Sequence, residues 1–258
     1  MANVYSIKRA CEKVEMEGNI MESRMAKHIS VQNCPVAVLW AEEMPTGAIH
    51  FQEGKWGCVI ALIKAASQGK VACASNETTV CQGGKAGLGF QGYTHGWIEY
   101  FLSTGSEQVP HSEFYKKSPE LARIFTDTIP RVKAGKWLVF KPLALVEENE
   151  KPECIIFLVN ADQLSGLVTL ANYDMETQDN VQIRFASGCG QSVLYPMYAQ
   201  ASGAKDCYIG LTDPSARKVI GKEMLSFSIP YDRYLEMEQE ADGCFFATDA
   251  WEIIKKRI

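Results

Sequence analysis

The chain has 258 residues, a formal net charge of −5, 47% hydrophobic residues and 22% charged residues. Such a composition supports a buried core, which excludes an intrinsically disordered chain, and it offers no basic surface for nucleic acid. The N-terminal segment lacks the apolar stretch of a signal peptide, and no run approaches the length of a membrane span. We therefore expect a cytoplasmic protein with no nucleic-acid partner and no membrane partner.

Helices and short strands alternate in the predicted first half. In chain order we expect a helix over 3–27, a strand over 36–40, a turn at 45–47, a buried helix over 59–66, a strand over 71–74, a glycine-rich loop over 81–92, and helices over 95–103 and 119–128. The buried helix is almost wholly apolar and stops at Gly69, because glycine readily takes the left-handed conformation that ends a helix.

The second half continues this alternation. We expect strands over 137–145 and 154–159, a helix from 161 to about 172, a strand over 181–185, an apolar helix ending at 203, extended chain over 207–210, a strand over 224–229, a helix from 230 and closing helical turns over 251–256. Pro142 predicts an edge or a bend in the first of these strands. The apolar run Cys154–Val159 is typical of a strand covered on both faces.

The two halves share an ordered pattern, which predicts an α/β (or α+β) fold of two related halves, with mixed sheets flanked by helices. Each half has a strand, a glycine–cysteine pair, an apolar helix, a closing glycine and a second cysteine four residues later, at Gly57-Cys58, Gly69 and Cys73 and at Gly188-Cys189, Gly203 and Cys207. The alternative is coincidence, since alanine-rich helices that end in glycine are common. We place the halves at residues 1–135 and 136–258, within one globular unit.

Nine cysteines need explaining in a compartment that keeps thiols reduced. Four of them lie beside or within a few residues of glycine, which lets the backbone approach an ion closely: Cys58, Cys81, Cys189 and Cys207. Four thiolates are the usual complement of an iron–sulfur cluster or a structural zinc. We therefore expect these four as metal ligands of an iron–sulfur or metal-binding accessory or redox protein, although no CxxC motif supports the assignment.

Two further functions stay open at this point. Cys58 and Cys189 each open a predicted helix, and a helix N-terminus lowers the pKa of a thiol, so either could be the nucleophile of an enzyme. A binding module for a small molecule or cofactor would use Trp97, Phe90 and Tyr195. The sequence does not decide whether the protein is an enzyme, and it leaves open a homodimer and an unidentified small-molecule or redox partner.

A glycine loop follows Cys81. Gly87 to Gly92 formally match GxGxxG, the phosphate-binding pattern of dinucleotide folds. That pattern must follow a strand directly, and here a cysteine-containing loop precedes it. The cofactor-binding candidates are the four glycines Gly83, Gly84, Gly87 and Gly89, and the alternative is a loop that bends tightly around Cys81.

Several motifs occur together in a familiar order. The run Cys58–Gly69, then Cys81-Gln-Gly-Gly, Phe140-Lys-Pro-Leu, Cys154–Asn160, Cys189, Cys207 and Glu223–Pro230, resembles an uncharacterised prokaryotic family, domain of unknown function 169. The resemblance covers roughly residues 30 to 240. Arg217 is displaced from the family's pattern, which puts any role for it in doubt. The family is common in anaerobes, and this implies oxygen-sensitive thiolate or iron–sulfur chemistry in anaerobic metabolism. It supplies no reaction, and kinship of fold does not give function.

Overall fold

A computed structural model describes residues 23–258, which form ten helices and seven strands. The helices are α1 (Arg24–His28), α2 (Ile60–Ser67), α3 (Gln82–Gly87), α4 (Ile98–Leu102), α5 (Pro119–Asp127), α6 (Ala161–Leu170), α7 (Tyr195–Ser202), α8 (Pro214–Arg217), α9 (Tyr231–Glu240) and α10 (Asp249–Lys255). The strands are β1 (Val36–Ala41), β2 (Ala72–Ala74), β3 (Trp137–Pro142), β4 (Cys154–Val159), β5 (Val181–Gln182), β6 (Cys207–Gly210) and β7 (Leu225–Pro230).

All seven strands form one mixed sheet in the order β2-β3-β1-β4-β7-β6-β5. Every pairing is antiparallel except β5 with β6. The α/β prediction, with a mixed sheet flanked by helices, is therefore confirmed. Since β3 lies between β2 and β1, residues from both sides of the predicted boundary at 135 share this sheet.

The strand order repeats across the middle of the sheet. In one set of three strands, β1 lies innermost, β3 lies next to it and β2 lies outside β3. In the other set, β4 lies innermost, β7 lies next to it and β6 lies outside β7, so each set has the same chain order from the centre outward. The two sets meet where β1 pairs antiparallel with β4. A duplicated unit would give this repeated order, and it would make β2 with Cys73 equivalent to β6 with Cys207.

Alternation along the strands divides the core into two layers. Ile155, Phe157 and Val159 of β4 face one layer, which also contains side chains of α1, α6, α9 and α10. Ile156 and Leu158 face the other layer, which contains side chains of α2 and α7. All six residues of β4 are buried, as expected for a strand covered on both faces.

Most predicted elements are present with shifted ends, and two predictions were wrong. The glycine-rich loop contains helix α3, because Cys81 caps its first turn and neighbouring side chains pack against its glycines. Strand β3 is neither at an edge nor bent at mid-length, because Pro142 is its last residue and a 3-10 turn follows. The predicted helix over 3–27 lies mostly outside the described residues. Across residues 23–258 there is no helix with the length and apolar character needed to cross a bilayer.

Candidate functional site

A cavity of about 610 Å³ lies on the α2/α7 side of the sheet. Its walls are largely apolar, and seven aromatic side chains contribute to them: Trp56, Tyr93, Trp97, Phe101, Tyr115, Phe125 and Phe185. Small-molecule sites are concave, mainly apolar and roughly 300 to 1,000 Å³ in volume. The cavity therefore has the size and the lining of a ligand site.

Three cysteines line this same cavity: Cys58, Cys81 and Cys189. All three are free thiols, half-buried at Cys58 and Cys81 and buried at Cys189. Residues far apart in sequence are thereby brought to one place, as the sequence predicted for these three. Within residues 23–258, however, no group of three or more His, Cys, Asp or Glu side chains is arranged to hold a metal ion.

Helix α3 positions two of the thiols. Cys81 is the N-cap of α3, and its Sγ accepts a hydrogen bond of 3.4 Å from the Gly84 N–H. At the other thiol, Cys189 Sγ donates to the carbonyl oxygen of Gly83 at 3.2 Å and lies 3.4 Å from Ser187 Oγ. The first turn of α3 therefore contacts both sulfur atoms.

Glycine makes this approach possible. A Cβ added at Gly87 would lie 2.6 Å from Cys189 Sγ and 2.7 Å from the backbone nitrogen of Gly190. At Gly84 it would lie 2.9 Å from Val59 Cγ2. Because real Cβ atoms do not come this close to other heavy atoms, α3 reaches the Cys189 turn only without these side chains.

Asp213 connects three segments around the cavity and is only 5% exposed. Its Oδ1 accepts from Tyr115 Oη at 3.0 Å and from the Ser215 N–H at 3.0 Å. Its Oδ2 accepts from the Gly188 N–H at 3.1 Å and from Ser215 Oγ at 2.7 Å. The carboxylate therefore fixes the residue that precedes Cys189.

Burial dominates the acidity of the Cys58 and Cys189 thiols. It raises the pKa of Cys189 to about 12 and that of Cys58 above its ordinary value. Burial also raises the pKa of Tyr93 and Tyr115, and for Tyr115 the Asp213 carboxylate adds to the effect. At Cys58 a hydrogen bond from the Ile60 backbone lowers the pKa, as expected at the start of a helix, but burial outweighs it there, and burial dominates at Cys189.

Residues 94–127, which we call the cover segment, close one side of the cavity. Trp97 at the N-cap of α4, Phe101 of α4 and Phe125 of α5 contribute to the wall. Outside the cavity, the Lys116 ammonium lies over two rings, 4.7 Å from the centroid of Phe125 and 4.5 Å from that of Phe185. Aromatic packing on Phe185 thus holds the cover segment against the body of the protein.

Cys207 does not join the other three cysteines, contrary to the four-ligand prediction. It is the first residue of β6 and is fully buried in the core layer on the opposite face of the sheet. Its Sγ lies 3.9 Å from Met237 Sδ. Cys73 on β2 faces the same layer. Because side chains alternate along a strand, a cysteine at this register cannot reach the cavity.

The four candidate glycines divide in the same way. Gly83 and Gly84 line the cavity, whereas Gly87 packs on the Cys189 turn. At Gly89 a Cβ would lie 2.4 Å from Val132 Cγ2, and at Gly92 it would overlap the Arg131 guanidinium. Protein atoms therefore pack closely against these last three glycines.

Of the aromatic residues named for a binding module, only Trp97 lines the cavity. Phe90 packs edge-on against Trp40. Tyr195 stacks on Tyr208 with centroids 5.8 Å apart. These two side chains support the fold around the site and do not enter it.

The chain was compared with family models, curated proteins and solved structures. The model of the family described as uncharacterised ArCR, domain of unknown function 169, matches residues 24–240. The chain belongs to this family. No curated protein matches the chain, and no solved structure matches it.

The matched segment of this DUF169 chain contains the whole cavity lining, which runs from Trp56 to Lys218. Helix α10 lies outside the match. The family-like Phe140-Lys141-Pro142 run forms the end of β3, where Lys141 Nζ lies 2.7 Å from Glu150 Oε2. This motif therefore lies in the sheet and does not line the cavity.

Sequence reasoning missed the polar residues around the thiols. Tyr93, Tyr115, Ser187 and Asp213 lie in four separate segments without a shared motif. Asp213 caps α8, and its side chain accepts from the Ser215 N–H. The run Asp213-Pro-Ser signals such a cap, but no local pattern announces the bonds to Gly188 and Tyr115.

Proposed function

We propose that this protein binds a small, mainly apolar organic molecule in the cavity, with the ligand contacting the thiols of Cys58, Cys81 and Cys189. The observation that carries the proposal is the combination of an aromatic, mostly apolar lining with three free thiols around about 610 Å³. A ligand there would bury apolar surface, and this burial stabilises the complex by roughly 25 cal/mol per Å². Apolar burial is the main source of affinity in such sites.

The polar groups favour a ligand with little charge. Both carboxylate oxygens of Asp213 already accept protein hydrogen bonds, and the raised pKa of Cys58 and Cys189 keeps these thiols neutral. Lys218 and Glu113 contribute one charge of each sign, and both are exposed. Specificity would then come from ring packing and from contacts with the thiols.

Binding of the uncharged dye N-phenyl-1-naphthylamine, followed by fluorescence and by thermal shift, tests this proposal. We expect one saturable site, and Trp97→Ala should weaken the affinity about tenfold, because removing a large aromatic contact from a ligand site commonly costs more than 1 kcal/mol. Tyr100→Ala is the matched control, since Tyr100 lies on α4 with the same 38% exposure but does not line the cavity. Equal affinity in both variants would contradict the proposal.

A second candidate is a metal or iron–sulfur centre, which the convergence of Cys58, Cys81 and Cys189 on one cavity favours. Thiolate is the donor that such centres require. The three sulfur atoms would have to move closer together, since the described residues contain no ready metal-binding group. Such a centre would fit an accessory or redox role.

Anaerobic purification followed by iron, sulfide and visible-absorbance measurement tests this candidate. Cys81→Ser and Cys189→Ser should each remove most of the bound iron. Cys207→Ser is the matched control, because Cys207 is buried on the other face of the sheet and should leave the iron content unchanged. A colourless, iron-free and folded wild-type preparation would rule the candidate out.

A further inference from the structure

Asp213 bridges two parts of the cavity wall that otherwise belong to different segments. Its Oδ1 accepts a hydrogen bond from the hydroxyl of Tyr115 in the cover segment, and its Oδ2 accepts one from the backbone N–H of Gly188 beside Cys189. We propose that Asp213 is a positioning residue that couples the cover segment to the Cys189 turn, so that the cover controls access to the Cys189 thiol. This inference rests on the proposed function only in taking the cavity as the ligand site.

The body of the protein holds Asp213 in place independently of the cover. Leu211, two residues before Asp213, has a φ of 62°. A fully buried leucine adopts this left-handed conformation only when its surroundings impose it. The Gln191 side chain fixes the next residue, because its Oε1 accepts from the Thr212 N–H at 3.0 Å and its Nε2 donates to Thr212 Oγ1 at 2.6 Å. Gln191 Nε2 also donates to the Arg184 carbonyl at 2.7 Å.

The cover segment also contacts the chain just before Cys189 at a second point. Phe185, four residues before Cys189, packs against Phe125 with centroids 5.1 Å apart and edge-on against Tyr115 at 6.2 Å. Inside the cover, the Glu113 N–H donates to the Phe101 carbonyl at 2.8 Å, which ties the Tyr115 stretch to α4. The cover therefore moves with Tyr115, and its displacement would release both Phe185 and Asp213.

Because Asp213 is buried, its hydrogen bond with Tyr115 contributes to holding the cover segment in place. Asp213 is only 5% exposed, so water does not readily replace a lost partner, and a hydrogen bond to a charged group stabilises more than one between neutral groups. Cys189 is itself only 7% exposed, and reagents reach it through local opening. The opening equilibrium should then depend on the Tyr115 hydroxyl.

The test is the rate of alkylation of Cys189 by iodoacetamide in the ligand-free protein, measured peptide by peptide with mass spectrometry. Tyr115→Phe removes the hydroxyl and keeps the ring on Phe185, and we expect it to raise the Cys189 rate about tenfold. Asp213→Asn should raise the rate further, because one amide oxygen cannot replace two carboxylate oxygens. Tyr100→Phe, on the exposed side of α4, is the matched control and should change nothing.

Cys207 is the internal reference, because it is fully buried on the opposite face of the sheet and reacts only when the protein opens there. A Cys189 rate that rises while the Cys207 rate stays constant supports the coupling. Equal increases at both cysteines, or no increase in Tyr115→Phe, overturn it. Since no ligand is present, the result does not depend on the dye-binding outcome that tests the proposed function.

Discussion

Replacing Gly87 by alanine tests whether glycine is what allows α3 to reach the Cys189 turn. The new Cβ would lie 2.6 Å from Cys189 Sγ and 2.7 Å from Gly190 N. The second atom belongs to the backbone and cannot rotate away, so the helix and the turn must separate. Overpacking of this kind costs roughly 1 to 3 kcal/mol, and the better helix propensity of alanine offsets at most about 1 kcal/mol. We expect a net loss of about 1 to 2 kcal/mol in the free energy of unfolding.

Urea unfolding followed by circular dichroism measures this loss as a lower transition midpoint with an unchanged slope. Gly243→Ala is the matched control, because a Cβ there meets nothing within 4 Å and the φ of Gly243 is not left-handed. That variant should unfold within about 0.5 kcal/mol of the wild type, as surface substitutions usually do. Equal stability of Gly87→Ala and the wild type would refute the close packing of α3 on the thiol turn.

Three further predictions concern the core, an ion pair and a thiol. Phe157→Ala should lower the free energy of unfolding by about 3 to 5 kcal/mol in urea titrations, because Phe157 is fully buried at the centre of the sheet. Hydrogen bonds from the buried Arg233 lower the pKa of Asp174, so this carboxylate contributes stability above about pH 4 that is lost as the pH falls further; Asp174→Asn should flatten the acid side of the stability profile. Native alkylation of Cys189 should keep accelerating from pH 7 to 9 without a plateau, because its pKa is about 12.

The prediction of the sheet was most accurate where the residues of one strand alone indicate how that strand is buried. The run Cys154–Val159 contains only apolar residues, and it forms the fully buried β4, which is the central strand of the sheet. The prediction of a loop was wrong at α3. Glycine lowers helix propensity there, but tertiary packing makes the segment helical. Propensity describes a segment alone, whereas Gly84 and Gly87 are helical because Val59 and Cys189 pack where side chains would be.

The same distinction explains the site. A nearby glycine marked Cys58, Cys81 and Cys189, which do line one cavity, since a close approach to other backbone is what glycine permits. It misled at Cys207, where the glycine is the last residue of β6 and the alternation of the strand directs the thiol to the opposite layer. Which face of a strand meets the cavity depends on the sheet order, and no local pattern in Cys207–Gly210 encodes that order.

The protonation of the thiols separates the two proposed ligands. A helix N-terminus favours a thiolate by about 1 kcal/mol, but a pKa near 12 at Cys189 corresponds to roughly 4 kcal/mol in the opposite direction, so burial wins. A metal requires thiolates and must displace these protons, whereas a neutral organic ligand need not. Isothermal titration of the protein with Zn²⁺ or with the dye, in two buffers of different ionisation enthalpy, counts the protons. We expect at least two protons released per metal ion if Cys58 and Cys189 bind it, and none with the dye. A metal that binds at neutral pH without releasing protons would not be bound by these thiols.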